Sequence, residues 1–282
     1  MSEGSTLEGR RVFITGAARG IGAATARRLH ERGAKVALAG IEPDLLAATA
    51  AECGDAPWAE CDVSDRSQVE GAVELAAERL GGLDVAMANA GIAAQLPIIG
   101  GDVEVFEKTI SVNLLGVYYT LRAAGPHIAH PNGYALAVSS LGAAIHLPLM
   151  GAYSAAKAAV EAMANSLRIE LRNSGARVGV AYFAELETDM TSRGFGTQAA
   201  QQVFAKRRLR RRPAPLSAAI DAIEHGIAHR SRRVASPRYV GPLLPIRMLA
   251  QRVVEAAIPR DLDDVLETAR SEHAPLTTEQ PD

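Results

Sequence analysis

The chain has 282 residues, of which 48% are hydrophobic and 22% charged, and its formal net charge is −2. These values are typical of a globular protein with a large core, and the near-neutral charge gives no reason to expect nucleic acid as a partner. Cys53 and Cys61 are too few for a disulfide framework and lack the paired spacing of a zinc site, so we expect free thiols and no metal centre. A polar start and the lack of a long apolar run predict a cytoplasmic location.

The first predicted elements are a short apolar strand, Arg11–Thr15, and an alanine-rich helix that runs through Arg32 and stops at Gly33. A turn with the spacing Gly-x-x-x-Gly-x-Gly joins them, which differs from the commoner Gly-x-Gly-x-x-Gly. Glycines let the backbone approach a pyrophosphate, and a helix N-terminus offers unpaired N–H groups and a positive dipole end. The turn therefore predicts a dinucleotide site. Its candidate residues are Gly16, Arg19, Gly20, Ile21 and Gly22.

Strands and helices continue to alternate along the chain. The further predicted strands cover residues 35–39, 56–61, 83–88, 134–139 and 177–182. The further predicted helices cover residues 43–53, 65–80, 103–129 and 152–173. Repeated strand–helix units predict an α/β fold, namely a doubly wound parallel sheet of the Rossmann-like type. We expect one domain over residues 1–241 and a C-terminal extension, residues 242–282, that is helical and then disordered.

Tyr153 and Lys157 lie four positions apart on a predicted helix, so their side chains share one face. A neighbouring cation lowers the pKa of a tyrosine, but a drop of about 3 units requires about 4 kcal/mol. A second positive charge is then needed, and an oxidised nicotinamide ring would supply one. Ser140, upstream of the pair, offers a hydroxyl that can hold a substrate oxygen against the tyrosine. Together these side chains predict a proton-relay site beside a hydride acceptor.

Several candidate residues come directly after predicted strands. They are Asp62, Asn89, Ala90, Gly91 and Ser140. In parallel sheets, ligands bind beyond the carboxyl ends of the strands. We therefore expect these residues and the glycine turn to meet at one edge of the sheet.

The order of these motifs resembles the short-chain dehydrogenase/reductase family in its compact form, over residues 9–240. The resemblance implies a nicotinamide-dependent oxidoreductase acting on an alcohol or a carbonyl compound. It implies that Tyr153 is the acid/base and Ser140 the orienting donor. It also implies that Lys157 lowers the tyrosine pKa and, with Tyr153, lies at the nicotinamide ribose. Asn113 would keep a water that links Lys157 to solvent.

The same resemblance assigns the remaining contacts of the cofactor. Asp62 and Val63 correspond to residues that flank the adenine, and Leu186 and Thr188 to residues that bind the carboxamide. Members of the family commonly pair through the helices that carry the asparagine and the tyrosine. The resemblance therefore implies a homodimer or a homotetramer.

One segment departs from the family pattern. Phe183 and Ala184 stand where relatives usually carry Pro-Gly, whose backbone shapes the nicotinamide site. A phenylalanine there would narrow the site or change the face of the substrate that is presented. The sequence thus leaves open a non-catalytic dinucleotide-binding scaffold or sensor, although the intact Ser140, Tyr153 and Lys157 favour an enzyme.

The end of the second strand bears on the choice of cofactor. Gly40 stands where NAD-dependent relatives carry Asp, and Ile41 where NADP-dependent relatives often carry Arg. Glu42 could reach the ribose hydroxyls and would repel a 2′-phosphate, unless it serves only as a carboxylate in the first turn of the next helix. Arg19 could meet a 2′-phosphate or face solvent. The charges favour NAD and leave NADP possible.

The residues expected around the substrate are mostly apolar. They are Ile92, Ala93, Leu141, Leu147 and Met150, with Phe195 and Val203 from the region that covers the substrate in relatives. This set predicts a small hydrophobic alcohol or ketone as substrate. His146 is the polar exception, and it is read either as a surface residue or as a second proton donor.

Two later segments have open interpretations. The basic run of residues 206–212 is read as a solvated helix end or as a contact for an anionic substrate tail or a lipid surface; it lacks the interleaved aromatics that bind nucleic acid. Residues 243–257 predict an amphipathic helix that packs on the body or a partner subunit, or else touches a membrane surface. The chain from Ser271 onward is predicted to be disordered.

Overall fold

The computed structural model describes residues 7–188, 190, 197–206, 213–258 and 261–272. The strands in these ranges are β1 (Arg11–Thr15), β2 (Lys35–Gly40), β3 (Trp58–Glu60), β4 (Val85–Ala88), β5 (Tyr134–Val138), β6 (Arg177–Phe183) and β7 (Arg233–Ser236). The helices are α1 (Gly20–Glu31), α2 (Pro43–Glu52), α3 (Arg66–Leu80), α4 (Val103–Ile110), α5 (Gly116–Ile128), α6 (Gly151–Glu170), α7 (Gln198–Lys206), α8 (Leu216–His229), α9 (Val240–Leu243), α10 (Arg247–Ala257) and α11 (Asp263–Ser271).

The described strands form one parallel sheet in the order β3-β2-β1-β4-β5-β6-β7. The chain starts at the centre with β1, builds outward to β3, and then returns to add β4 on the other side. The strand order therefore reverses between β1 and β4, which is where ligands bind in open parallel sheets. The predicted doubly wound α/β fold is confirmed.

The edge strand β7 and the helix α8 were missing from the prediction. The residues of β7, Arg-Val-Ala-Ser, alternate in burial and form no apolar run, so only their pairing with β6 reveals the strand. At the opposite edge β3 is shorter than predicted, with Trp58 and Glu60 exposed and Ala59 half-buried. Edge strands are covered on fewer sides than central ones, so hydrophobic patterning marks them weakly.

Helices cover both faces of the sheet, as the complete burial of β4 and β5 requires. Successive side chains of a strand point to opposite faces, so the neighbours Phe13 and Ile14 enter separate cores. Ile14 packs in the core that contains Ile223 of α8, and Phe13 in the core that contains Leu121 of α5 and Val160 of α6. Burial of each such side chain stabilises the fold by about 1.5–3 kcal/mol.

The predicted helix of residues 103–129 is interrupted in its middle. A π-helical turn, Ser111–Leu115, joins α4 to α5. Asn113 lies in this turn and is fully buried. A π-helical turn inserts one extra residue into the helical ladder, and such turns are frequent at functional sites.

The C-terminal region differs from the single helix predicted over residues 243–257. It begins with the short α9, α10 starts only at Arg247, and α11 follows. Val265 and Ala269 of α11 are buried against Ala199 and Val203 of α7. None of the helices within the described ranges combines the length and apolarity needed to cross a membrane. The division at residue 242 and the disorder of the end of the chain stay predictions, since residues 273–282 lie outside the described ranges.

Candidate active site

A cavity of about 570 Å³ lies at the carboxyl ends of the strands, where the strand order reverses. Its lining includes every candidate catalytic and cofactor residue except two, Gly22 and Asn113. We call the part lined by the glycine turn, Glu42, Asp62 and residues 89–91 the cofactor end. We call the part lined by Ile92, Leu147, Met150 and Val203 the substrate end. The convergence expected from the sequence is therefore present in the structure.

The glycine turn brings its backbone to the cavity wall. Gly16 has a φ of +65°, and a Cβ added there would lie 2.7 Å from Ala90 Cα. A Cβ at Gly22 would lie 2.1 Å from the carbonyl oxygen of Gly16, so this glycine permits the turn without lining the cavity. Asn89 Nδ2 donates to the carbonyl oxygens of Thr15 and Gly16, at 2.9 and 3.1 Å. The turn is thus held in one shape by its neighbour strand.

The N-terminus of α1 points into the same end of the cavity. Gly20 and Ile21 line the cavity, and no side chain caps the helix. Backbone N–H groups and the positive end of a helix dipole favour phosphate groups. A Cβ at Gly20 would meet no atom within 4 Å, so the backbone stands open on this side. The residues present therefore fit the pyrophosphate of a dinucleotide.

Arg19 and Glu42 form an ion pair beside the end of β2. Arg19 Nε donates to Glu42 Oε2 at 2.8 Å, and a second contact joins the guanidinium to Oε1. The sequence had presented these side chains as separate influences on cofactor choice. In the structure they partly neutralise one another, so the carboxylate repels a 2′-phosphate less than it would alone.

Asp62, at the cofactor end of the cavity, is held in its charged form. Burial raises the pKa of Asp62, but hydrogen bonds from Ser64 and the Lys108 ammonium outweigh it, so the pKa lies below its ordinary value. Ser64 donates from its backbone N and its Oγ to Oδ1, at 2.8 and 2.7 Å. Lys108 Nζ lies 3.3 Å from Oδ2. The neighbouring Val63 lines the cavity and packs against Gly116.

Tyr153, Lys157 and Ser140 meet where the two ends of the cavity join. Tyr153 and Lys157 are 6% and 3% exposed, and Lys157 Nζ lies 5.7 Å from the centre of the tyrosine ring. Ser140 is hydrogen-bonded to Tyr153 and also accepts from the Gly142 backbone N–H at 3.0 Å. Ser139 is turned the other way and donates to the Lys157 carbonyl oxygen at 2.8 Å, which anchors α6 to the sheet. Of these two adjacent serines, Ser140 is therefore the one whose side chain contacts Tyr153.

Burial shifts the pKa values of both Tyr153 and Lys157. Burial raises the pKa of Tyr153, and the hydrogen bond with Ser140 opposes that rise. Burial also lowers the pKa of Lys157 to about 8, although its ammonium donates to the Val138 carbonyl oxygen at 3.0 Å. Lys157 alone therefore does not lower the tyrosine pKa below its ordinary value. This agrees with the expectation that a second positive charge is required.

Asn113 does not line the cavity but holds the backbone of Ile92, which does. Its Oδ1 accepts from the Ile92 backbone N–H, and its Nδ2 donates to the Ile92 carbonyl oxygen, both at 2.8 Å. A Cβ added at Gly91 would lie 2.9 Å from Asn113 Oδ1 and 3.4 Å from Lys157 Nζ. The asparagine thus fixes the segment that passes in front of Lys157.

Phe183 and Ala184 stand where the family pattern has Pro-Gly, and the hydrogen bonds of the sheet continue through them. Strand β6 continues through Phe183, whose ring is 5% exposed and belongs to a core group with Val138 and Leu186. The Phe183 carbonyl oxygen accepts from Ser140 Oγ at 3.3 Å. Ala184 N–H donates to the Ser236 carbonyl oxygen at 3.0 Å, so the missed strand β7 supports this segment.

The substrate end differs in part from its predicted lining. Ala93 is fully buried behind Tyr153 and does not line the cavity, and neither does His146, whose backbone is bound by the side chain of Gln251. Phe195 and the basic residues 207–212 lie outside the described ranges. The sequence reasoning missed several lining residues because they come from segments far apart in the chain. These residues are Gln95, Leu149, Met190, Ala200 and Tyr239.

Comparison with known proteins agrees with the architecture. The profile of the family described as short chain dehydrogenase matches residues 10–201. Glycine betaine reductase ATRR of Emericella nidulans is 35% identical over 189 residues, which cover 65% of this chain but only 15% of that protein. Short chain aldehyde dehydrogenase 1 of Euphorbia lathyris is 32% identical over 206 residues, which cover 71% of this chain and 72% of that protein.

A solved structure shows the same fold over most of this chain. It is a short chain dehydrogenase from Burkholderia cenocepacia J2315 in complex with NADP, with a TM-score of 0.72 and 26% identity. The match covers 81% of this chain and 96% of that one. With the family profile matching most of the sheet, the chain belongs to the short chain dehydrogenase family of NAD(P)-dependent oxidoreductases.

Proposed function

We propose that the protein interconverts a hydrophobic secondary alcohol and its ketone, with Tyr153 as the acid/base. One observation carries this proposal: Ser140 and the buried Tyr153 and Lys157 lie together between the cofactor end and the apolar substrate end of one cavity. A nicotinamide cofactor bound at the glycine turn supplies the hydride acceptor or donor. The residues of the chain then have only to orient the substrate and move one proton.

Each residue of the trio has a distinct task in this scheme. Ser140 holds the substrate oxygen, and Tyr153 takes its proton during oxidation or returns one during reduction. The ammonium of Lys157 stabilises the phenolate, and a positively charged ring would add the second charge that burial makes necessary. Phe183 positions Ser140 through its carbonyl oxygen, so the departure from Pro-Gly is compatible with catalysis.

The apolar character of the substrate is inferred from the lining of the substrate end. Ile92, Leu147, Met150 and Val203 offer hydrocarbon or thioether surface to a bound molecule. Such a surface gains affinity from each buried methylene but cannot satisfy a chain of hydroxyls. We therefore expect lipophilic ketones to be reduced faster than small polyols are oxidised.

For the cofactor we favour NAD, with NADP as the alternative. The Glu42 carboxylate supports NAD because it can accept hydrogen bonds from ribose hydroxyls and opposes a 2′-phosphate. Its pairing with Arg19 weakens that opposition. In Glu42→Gln the carboxylate charge is lost while the shape remains, so the ratio of kcat/KM for NADP to that for NAD should rise about tenfold. A wild-type enzyme that strongly prefers NADP would contradict the choice of NAD.

The assembly is proposed to be a homodimer or a homotetramer. Exposed apolar side chains on the helices that carry Asn113 and Tyr153 support pairing through these helices. They are Leu115, Tyr118 and Ile169, with exposures of 38%, 45% and 64%. Size-exclusion chromatography with light scattering measures the assembly directly, and a monomer at micromolar concentration would contradict this part of the proposal.

A turnover screen tests the proposed function as a whole. Lipophilic alcohols and ketones and small polyols are offered with each nicotinamide cofactor, and the absorbance of the reduced nicotinamide is followed. We expect turnover of lipophilic secondary alcohols and ketones above that of polyols. Cofactor binding without turnover of any compound would instead indicate a dinucleotide-binding scaffold, and faster polyol turnover would contradict the apolar substrate.

A further inference from the structure

Among the residues that the structure describes, Gln95 places a polar side chain in the largely apolar wall of the substrate end. Gln95 follows the segment fixed by Asn113, and it is 7% exposed. Its neighbours in the cavity wall include Leu149, Met150 and Val203. A buried carboxamide among apolar side chains is unfavourable unless its donors and acceptors are paired. The partners of Gln95 therefore indicate what the wall is built to contact.

The carboxamide oxygen of Gln95 is already engaged. Thr197 Oγ1 accepts from the Ala200 backbone N–H at 3.2 Å, which leaves its own proton to donate to Gln95 Oε1 at 2.7 Å. This direction of donation places the oxygen of the carboxamide toward Thr197 and the Nε2 group on the other side. The orientation is thus set by the hydrogen-bond network.

The Nε2 group of Gln95 has no oxygen partner among the described residues. Its contact there is the sulfur of Met150, at 3.9 Å. A carboxamide nitrogen carries two protons, and a thioether sulfur is a weak acceptor. Met150 also packs against Tyr153, and all three side chains line the cavity, so this contact lies at the wall of the compartment that contains Tyr153. A buried donor with only a weak partner is strongly favoured to bind an oxygen.

The hydrogen-bond partner of Gln95, Thr197, is itself held in place by the end of α7 and by Glu272. Thr197, 6% exposed, caps the N-terminus of α7, and Glu272 accepts from the next two backbone N–H groups, those of Gln198 and Ala199, at 2.8 and 3.1 Å. Helix α11, which precedes Glu272, is packed against α7. The donor is therefore held at a fixed place relative to Tyr153, as selection between substrates requires.

We propose that Gln95 Nε2 binds a second, neutral oxygen of the substrate, so that the preferred substrates are apolar alcohols or ketones carrying a carbonyl or ester oxygen remote from the reacting centre. This inference rests on the proposed function. A neutral oxygen is specified because the carboxamide is uncharged. The cations that line the cavity in the described part of the chain, Arg19 and Lys157, contact Glu42 and the Val138 carbonyl oxygen. Among the residues that the structure describes, a buried carboxylate would find no cation near Gln95.

The test compares matched pairs of ketones. Ethyl 4-oxocyclohexanecarboxylate and ethyl (4-oxocyclohexyl)acetate present an ester oxygen at two distances from the ketone, and 4-alkylcyclohexanones of the same lengths lack it. The wild type is expected to prefer at least one ester over its alkyl partner by about tenfold in kcat/KM. In Gln95→Leu the kcat/KM for that ester should fall about tenfold, while the kcat/KM for the alkyl ketone stays the same or rises.

Two further variants separate recognition from structural support. Gln95→Glu keeps an oxygen acceptor for Thr197 but removes the Nε2 donor, so the ester preference should be lost as in Gln95→Leu. Thr197→Val keeps the donor but removes its anchor, so the ester KM should rise while kcat for the alkyl ketone stays within about twofold. A structural role alone would lower the turnover of both members of a pair equally.

The possible results distinguish a failure of the proposed Gln95 contact from a failure of the proposed function. Wild-type turnover of the alkyl ketones without preference for either ester would overturn the role of Gln95 and leave the proposed function intact. Equal losses for both members of each pair in Gln95→Leu and Gln95→Glu would do the same. Wild-type enzyme that turns over none of the ketones would overturn the proposed function itself.

Discussion

At the cofactor end of the cavity a glycine turn brings the backbone to the wall, whereas the substrate end is lined by apolar side chains. The glycine turn passes close to residues 89–91, since a Cβ built on Gly16 would lie 2.7 Å from Ala90 Cα. The substrate end is formed by side chains of α7 and of loops, and α7 is held by α11 near the end of the described chain. The cofactor end is therefore suited to one cofactor, which is the same for every substrate. The shape of the substrate end depends on side chains of loops and of α7, which the sheet does not fix.

Lys157 lies at the junction of the two ends, and its burial predicts the largest effect. The folded-state pKa of about 8 is below the ordinary 10.5, so between these values the unfolded chain holds a proton that the folded protein has lost. Stability then rises with pH across this window, by about 1.4 kcal/mol per unit and about 3 kcal/mol in all. Methionine has no proton to lose, so Lys157→Met lacks this pH dependence. The difference in unfolding free energy between wild type and variant should therefore change by that amount across the window.

Denaturant unfolding at a series of pH values measures the difference for both proteins. Groups that lie away from Lys157 titrate alike in both proteins and cancel in the comparison. Parallel curves for wild type and Lys157→Met would show that Lys157 is not buried at the junction.

The backbone character of the cofactor end predicts a large effect of one methyl group. In Gly22→Ala the added Cβ meets the Gly16 carbonyl oxygen, so the turn must shift and NADH binding should weaken about 10- to 100-fold. Gly71→Ala is the matched control, because a Cβ there meets nothing within 4 Å in the middle of α3. This control should bind NADH normally and be more stable by about 0.5–1 kcal/mol. Fluorescence titration that finds equal affinities would contradict the account of the turn.

The substrate end should respond to a change on a helix that does not line it. Val265 is fully buried between α11 and α7, so Val265→Asp places a charge there and should release α7 from its position. We expect kcat/KM for a ketone to fall about tenfold while the Kd for NADH stays within about twofold. Val253→Asp, at a position on α10 that is 64% exposed, serves as the control. Equal loss of cofactor and substrate binding would remove the distinction between the two ends.

A smaller effect is expected from the carboxylate that caps α7. Glu272→Gln keeps an oxygen for one backbone N–H but loses the charge at the positive end of the helix. The ketone KM should rise roughly two- to fivefold, with kcat and the NADH Kd unchanged. Steady-state kinetics at low and high salt measure this change, and a salt-independent effect would argue against the charge as its cause.

The difference between the two ends of the cavity also explains which parts of the site could be predicted from the sequence. The cofactor end was predictable because a short strand, a glycine turn and a helix start within a dozen residues have few physical alternatives. Tyr153 and Lys157 were predictable because helical spacing places both on one face. The ion pair of Arg19 with Glu42 was not, since each side chain taken alone had a plausible partner in the cofactor.

The substrate end was harder to predict because its contacts span the chain. Gln95 meets Thr197, and Glu272 caps α7, over separations of 102 and 74 residues. No local pattern marks such pairs. Strand β7 was missed for a related reason: it alternates in burial at a sheet edge and becomes visible only through its partner β6. Local periodicity thus predicts what a segment forms, while long-range packing decides what it contacts.

Tyr153→Phe removes the hydroxyl that, as we propose, transfers the proton at the junction of the two ends. This variant keeps the ring that packs beside Met150 and Ala93 and loses only the hydroxyl. Tyr239→Phe, at a second cavity-lining tyrosine that is 55% exposed, is the control. We expect kcat to fall about 100-fold or more in Tyr153→Phe alone, with the NADH Kd within about twofold of wild type. Turnover that survives in Tyr153→Phe at the level of the control would contradict this role of Tyr153.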